Sequence, residues 1–309
     1  MEHRIVSLIA SATEIVSALG FQDSLVGRSH ECDFPPEVEH LTVCSEPRID
    51  VTGTSLEIDQ AVRRTVREAL SVYSVFRHEL ERLQPTHIIT QTQCDVCAVN
   101  LRDVEAAVCD MVGSRPTIVS LEPMCLADIR TDIERVAESL DAAESAQKLI
   151  ESLQSRLDDV RRRVPEATQR PRVFCLEWLE PIMSAGNWVP ELVEIAGGEP
   201  ILCEAGKHSP FVTWDDLLDA DPNVIAIMPC GFDMERTKQE LHLLTDDPHW
   251  SQLRAVQNGR VYLTDGNQFF NRPGPRVVES AEILFELLHG KSIWQHQGTA
   301  WSELPRSFE

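Results

Sequence analysis

The sequence predicts an α/β protein of two similarly built lobes, each carrying a small, mostly parallel sheet, joined by a long helix. Three observations predict it. Short apolar, β-rich runs alternate with helical stretches along the chain, the order that parallel sheets require. The second half repeats the order of the first: Arg4 to Ile9 leads by a loop into Ile15 to Leu19 and Gly20, as Arg172 to Leu176 leads through Glu177 to Trp188 into Val189 to Ile195 and Gly197-Gly198. Between the halves, Leu126 to Val164 keeps a helical period without a Gly or Pro.

The connecting stretch carries apolar residues at Ile129, Ile133, Val136, Leu140, Ala143, Ala146, Ile150, Leu153, Leu157, Val160 and Val164, steps of three and four with one slip near Ala143. Asp128 and Asp132 stand in its first turns and Arg161, Arg162 and Arg163 in its last, the charge order that the helix dipole favours. Pro123 and Pro165 bound it. Unbroken, such a helix spans ~55 Å, more than one small domain covers, so it connects two bodies. With Ala where a zipper needs Leu, it makes a weak coiled coil, and a monomer is expected.

Length and composition agree with two globular domains: 309 residues, 42% hydrophobic and 25% charged. A net charge of −22 argues against nucleic acid or an anionic membrane as partner, since both are bound through a surplus of Lys and Arg. No apolar run reaches membrane-spanning length. Nine cysteines without framework spacing are expected in a reducing compartment. Ile5 to Ala12 ends in Ala10-Ser11-Ala12, which mimics a signal cleavage site, but it is short and Glu14 follows at once. It reads instead as a first buried strand running into a helix. The sequence is thus expected to be cytoplasmic, or periplasmic or extracellular if it derives from a longer precursor.

In the first lobe, Ser11 or Thr13 is expected to cap the helix that follows the first strand. Leu25-Val26-Gly27 reads as a second strand delivering His30-Glu31-Cys32-Asp33 before Phe34-Pro35-Pro36. Ser55 to Leu83 reads as largely helical, with Ile58, Val62, Val66, Leu70 and Tyr73 on one face and Pro85 as its stop. His87 to Thr90 is the next strand, and Gln91-Thr92-Gln93-Cys94-Asp95-Val96-Cys97 follows at its carboxyl end, where ligand loops of open α/β sheets lie. Thr117 to Leu121 is one more strand. In the second lobe, Val224 to Met228 with Pro229-Cys230-Gly231-Phe232 matches His87 to Cys97, and Val261-Tyr262-Leu263 matches Thr117 to Leu121. Two Rossmann-like lobes follow, 1–124 and 171–309, with a helical segment 125–170 between them and a ligand cleft between the loops that end their strands.

These residues carry a resemblance. Ile5-Val6-Ser7-Leu8, Thr13-Glu14-Ile15, Ala18-Leu19-Gly20 and Asp33-Phe34-Pro35-Pro36 resemble the start of the class III substrate-binding proteins of ABC importers, in their cobalamin-binding branch. Cys94-x-x-Cys97-Ala98, Trp178 to Asn187, Gly197-Gly198 and Phe270-Asn271-Arg272-Pro273-Gly274-Pro275-Arg276 extend the match over nearly the whole chain. The resemblance implies two lobes bridged by a rigid helix and non-catalytic binding of a corrinoid, haem or iron chelate, either as the substrate-binding protein of an ABC permease or as an intracellular carrier. In that family a shorter helix precedes the connector, so a break is expected between about Leu140 and Ala143, leaving a backbone helix of about 142–164.

A corrin offers a wide apolar disc rimmed with amides, which calls for aromatic faces and edge donors. The resemblance sets Trp178 against such a disc. Trp188, Phe269, Phe270 and Arg272 stand in the loops beside it, and Arg272 can donate to amide oxygens. From the first lobe Glu31, Gln91 and Gln93 join them, with Glu31 and Gln91 standing where the importer's binder has aromatic rings. His30, Cys32, Cys94 and Cys97 are the metal-ligating types there, and Cys230 could join from the other lobe. His30 is the first choice for an axial ligand to cobalt, because a neutral imidazole needs no deprotonation at pH 7. The bland alternative for His30 is a hydrogen bond to Asp33 or a backbone carbonyl.

Family members that dock on a permease carry an exposed acidic residue on each lobe. Asp215 fits in the second lobe. The first-lobe position is His78 with Glu79 beside it, a departure. The alternative is a cysteine-dependent redox or metal enzyme using Cys94 and Cys97, but the chain has no Gly-x-Gly-x-x-Gly, Walker, Gly-x-Ser-x-Gly or His-Glu-x-x-His motif.

Overall fold

The computed structural model describes residues 3–68, 71–93, 99, 101–108, 115–166 and 169–305. The chain forms two compact units. The first comprises 1–53, 57–123 and 127–152, and the second 54–56, 124–126 and 153–309.

The first unit follows the order β1 (Ile5–Ser7), α1 (Ala10–Ala18), β2 (Leu25–Arg28), β3 (Thr42–Val43), β4 (Ser45–Pro47), α2 (Ser55–Arg67), β5 (Tyr73–Val75), α3 (Arg77–Leu83), β6 (His87–Gln91), α4 (Leu101–Val108) and β7 (Thr117–Leu121). Its five-stranded sheet runs β3-β2-β1-β6-β7, parallel throughout. The order reverses between β1 and β6, the switch point at whose strand carboxyl ends open α/β sheets place their ligand loops. Parallel strands are covered on both faces. Hence Ile5, Val6, Ile88 and Ile89 lie fully buried, and Val6, Leu8, Cys44, Leu80, Ile88 and Val104 share one core. A side chain at Gly27 would meet Cys44 Sγ at 2.8 Å and Leu83 Cδ1 at 2.9 Å, so β2 packs this closely only with glycine there.

Two expectations are corrected in this unit. The stretch Ser55 to Leu83 is not one helical run: Tyr73–Val75 pairs antiparallel with Ser45–Pro47 as a two-stranded ribbon. The cluster Val72-Tyr73-Ser74-Val75 is β-branched and aromatic, and pairing with β4 overrides the helical period. Of the expected face, Leu70 lies outside the described residues. The first helix also starts earlier than expected, after Ile9, and neither Ser11 nor Thr13 caps it. Thr13 Oγ1 instead lies in hydrogen-bond reach of Ser7 Oγ, 2.8 Å away, and of Cys32 Sγ, 3.0 Å away.

The connecting stretch is two helices, α5 (Leu126–Ser139) and α6 (Ala143–Arg163). Between them Asp141 takes a left-handed φ of 55° and Ala142 N–H donates to Ala137 O at 2.8 Å, a helix-ending turn at the slip in the apolar period. The division between the units falls within α6, at Ser152 and Leu153.

The second unit continues with β8 (Arg172–Trp178), β9 (Met183–Ser184), α7 (Val189–Ile195), β10 (Glu199–Pro200), α8 (Trp214–Ala220), β11 (Val224–Ile227), α9 (Met234–Glu240), α10 (His242–Thr245), α11 (Arg254–Gln257), β12 (Val261–Thr264), α12 (Val277–His289) and β13 (Trp301–Glu303). Its sheet runs β10-β8-β11-β12-β13 with β9 beside β8. β8, β10, β11 and β12 are parallel, while β9 and β13 run antiparallel at the margins.

α12 is almost wholly buried, and two of its buried residues are carboxylates one turn apart. Glu282 accepts from Arg156 of α6 at 3.0 and 2.9 Å and faces His296 Nε2 at 3.1 Å. Glu286 accepts the main-chain N–H of Trp294 at 2.7 Å and of His296 at 3.1 Å, and the Trp301 indole N–H at 3.0 Å. The C-terminal segment is thereby fastened to the final helix through donors that a buried site must satisfy. Replacing Glu286 by Ala orphans all three donors, and we expect a loss of about 3 kcal/mol or more of unfolding free energy. Urea titration measures the loss, and hydrogen exchange should show 294–301 losing protection. Unchanged stability would refute this role.

Candidate functional site

In the first unit the loop after β2 carries His30, Glu31 and Cys32. His30 is half-buried; its Nδ1 lies 3.1 Å from Ser45 Oγ, its ring centre 5.4 Å from that of Tyr73, and its Nε2 3.8 Å from Glu31 Oε1. Hence the partner of His30 is Ser45 rather than Asp33 or a carbonyl. Burial, with the Arg28 charge nearby, lowers the His30 pKa below its ordinary value. Cys32 is fully buried: its sulfur accepts from Thr13, sits 3.1 Å from Ser29 Oγ, and burial pushes the thiol up. Cys32 is therefore corrected from a candidate metal ligand to a core thiol. Gln91, the last residue of β6, is also buried, and Gln93 two residues on is half-buried. Cys94 and Cys97 lie outside the described residues. Among the described residues no group of three His, Cys, Asp or Glu side chains could hold a metal ion.

In the second unit Trp178 ends β8, half-buried, its ring centre 5.3 Å from that of Phe232. Its indole N–H donates to Ser55 O at 3.2 Å. Phe232 in turn carries the Arg236 guanidinium 4.7 Å over its ring, and Arg236 pairs with buried Glu240 at 2.6 Å. Glu240 Oε2 accepts the Ser55 main-chain N–H at 2.7 Å. Of these, the sequence marks only Phe232, as part of the loop after its strand, and marks neither Arg236 nor Glu240. The Phe232 loop was visible after its strand, but no pattern singles out a Glu at the end of a short helix.

The loop before α12 separates its two aromatic candidates. Phe269 is half-buried, with the Arg276 guanidinium 5.3 Å from its ring and His296 edge-on at 6.4 Å. Phe270 is buried at 1% exposure, in a left-handed turn at φ 63°. Its N–H donates to Ser280 Oγ at 3.0 Å and its carbonyl accepts the Trp188 indole N–H at 2.7 Å. Trp188 and Phe270 are thus corrected from ligand contacts to packing residues that fix the loop. Arg272 is buried as well, and its Nη2 donates to Asn267 Oδ1 at 3.2 Å. Asn271 ties the same loop to Met228 O and Gly266 O, at 3.1 and 2.9 Å. Of the aromatic candidates, Trp178 and Phe269 keep exposed surface.

Two α/β units whose central strands run parallel, with the α5–α6 pair between them in the sequence, are the elements expected of a two-lobed, helix-linked binding protein. The chain belongs to the periplasmic binding protein family, which matches residues 5–267. It is 26% identical over 286 residues to the vitamin B12-binding protein of Vibrio cholerae serotype O1, covering 90% of this chain and 86% of that one. Among solved structures it is similar to an ABC transporter substrate-binding protein from Listeria monocytogenes EGD-e, at a TM-score of 0.71 and 19% identity over 94% of this chain and 100% of that one. It is also similar to the periplasmic haem-binding protein RhuT from Roseiflexus sp. RS-1, at 0.69 and 20% identity over 94% and 99%. These are binding proteins, not enzymes, and their names lend no support to a cytoplasmic location.

Two measurements follow from the burial pattern. Thiol labelling of the native protein at pH 7.5, mapped by mass spectrometry, should modify exposed Cys230 and spare Cys32, Cys44 and Cys175. Burial raises all three of these thiols, Cys44 to about 12, and the thiolate is the reactive form. Labelling of Cys32 before Cys230 would contradict the assignment. Burial lowers the pKa values of His30, His87 and His289. The unfolded chain therefore takes up these protons first, and stability should fall as pH drops below about 6.5. Asp132, raised to about 6 by burial, gains stability in the same direction and offsets part of the loss. Ring titration by NMR should give His30 a midpoint below 6.5; a higher one would overturn the reading.

Proposed function

We propose that the protein binds a corrinoid, non-catalytically, at the carboxyl ends of its strands, and hands it to an ABC permease. The observation that carries this is Trp178: a half-exposed indole at the end of β8, backed by Phe232, in a chain of a binding-protein family. A flat apolar ligand needs such a ring. The likeness to a vitamin B12-binding protein over 90% of the chain supports the corrinoid. Haem or an iron chelate is the second reading, favoured by the likeness to a haem-binding protein. Phe269, flanked by the Arg276 cation, supplies a second aromatic surface. Glu31 and Gln93 are proposed as polar lining.

His30 is proposed as an axial ligand to cobalt. With Nδ1 at Ser45, Nε2 is the nitrogen for the metal, and the lowered pKa favours the neutral imidazole that ligates. For the permease, Asp215 is exposed in the first turn of α8. Its proposed counterpart, Glu79, is engaged by Arg82 at 2.7 Å and by His78 at 3.3 Å.

Titration with hydroxocobalamin, followed by visible absorbance and calorimetry, tests the reading. Binding should be seen, and Trp178→Ala should weaken it at least tenfold. His30→Ala should shift the visible bands if the imidazole reaches cobalt, and an unchanged spectrum would remove His30 from that role. No heat with hydroxocobalamin alongside tight binding of haemin or an iron siderophore would replace the corrinoid by the second reading.

A further inference from the structure

Ser55 is held in the second unit by both of its main-chain groups. Its N–H donates to Glu240 Oε2 at 2.7 Å, and its carbonyl accepts from Trp178 Nε1 at 3.2 Å. Thr54–Leu56 groups with this unit, although the rest of α2 does not. Both partners are themselves fixed: Glu240 is buried against Arg236, and Trp178 packs on Phe232, over which the same guanidinium lies. The carboxylate sits at the first turn of α2, where the helix leaves its N–H groups unpaired and its dipole favours negative charge.

An indole N–H only donates and a carboxylate only accepts. Between them they read the carbonyl and the N–H of one residue, a donor and an acceptor pointing opposite ways, as the C=O and the N–H anti to it in a carboxamide also do. The geometry points to Trp178 Nε1 and Glu240 Oε2 as a carboxamide-recognising pair, and to Thr54–Leu56 as a displaceable strap that occupies the pair until a ligand bearing amides takes its place. The strap also carries a cost that favours release: Ser55 Oγ is buried and has no hydrogen-bond partner among the described residues. The pair discriminates as well. A ligand carboxylate at the same position would face Glu240 charge against charge, whereas an amide would not. The ligand half of this inference rests on the corrinoid reading, whereas the strap is independent of it.

Ser55→Pro isolates the strap. Proline is tolerated at the first helical position, where its missing N–H costs the helix nothing. The substitution therefore removes the bond to Glu240 and leaves both recognising side chains in place. In the full chain without ligand, exchange of the Trp178 indole proton, followed by NMR, should speed up at least tenfold in Ser55→Pro. With hydroxocobalamin as the probe, Ser55→Pro should bind at least threefold more tightly than the natural sequence. Glu240→Ala should bind it at least tenfold more weakly than Ser55→Pro, while haemin, which carries carboxylates, should lose no affinity. Unchanged indole exchange in Ser55→Pro, or unchanged or weaker hydroxocobalamin binding by that variant, would overturn the strap. Equal binding by Glu240→Ala and Ser55→Pro would overturn the carboxamide pair. If hydroxocobalamin binds to no form while the indole exchange still speeds up, the corrinoid reading and the amide pair fail together and the strap stands. Should Glu240→Ala not fold, Ser55→Pro decides the strap alone, and Trp178→Phe, which keeps the ring and loses only the donor, decides the pair by the same tenfold loss.

Discussion

Two carboxylates on one helix hold the second unit together. Glu282 and Glu286 are buried within α12, and each is filled by donors from elsewhere: Arg156 of α6, the C-terminal main chain and the Trp301 indole. A buried carboxylate without such donors is strongly disfavoured, so these contacts form as a set. Their reach extends to the loop before α12, because His296, facing Glu282, also stands edge-on to Phe269. The position of a candidate ligand surface thus depends on how a terminal segment far along the chain is fastened.

The same economy governs the aromatic residues. Trp178 and Trp188 lie ten positions apart, and each donates its indole N–H to a main-chain carbonyl. For Trp188 the acceptor is Phe270, within a loop already held by Asn271, Arg272 and Ser280, so the bond locks the loop. For Trp178 the acceptor is Ser55, more than a hundred residues earlier, in a tripeptide whose neighbours group with the other unit. A bond that closes a rigid loop is structural; one made to a short excursion of the chain is exchangeable.

The architecture was legible because its signals are periodic. Alternating strand and helix runs, the repeated half and the slip near Ala143 each reappear in the elements observed, with the helix break at Asp141. Propensity misled where pairing decided: Tyr73–Val75 continues a helical face in sequence but gains more by joining β4. The site was legible in part. Residue type marked Trp178, Phe269, Trp188, Phe270 and Cys32 alike, and burial separates the half-buried Trp178 and Phe269 from the other three. Burial is a property of what packs on a residue from distant segments, and a single sequence does not encode that locally. Arg236 and Glu240 carry no sequence signal for the same reason, since they matter only through Phe232, Ser55 and Trp178.

The buried polar groups also shape the kind of ligand the second unit can accept. The Glu240 carboxyl group is buried and paired with Arg236, whose guanidinium is shared with the Phe232 ring. Adding a second anion beside it would leave two buried negative charges to one cation, whereas adding an amide dipole leaves the balance intact. Together with a net charge of −22, this agrees with the proposed ligand, whose rim is neutral and whose body is flat and apolar. In the proposed site the aromatic rings would supply contact area, and Trp178 Nε1 with Glu240 Oε2 would supply discrimination. That division is how a mostly apolar site becomes selective, since area alone does not distinguish one flat ligand from another.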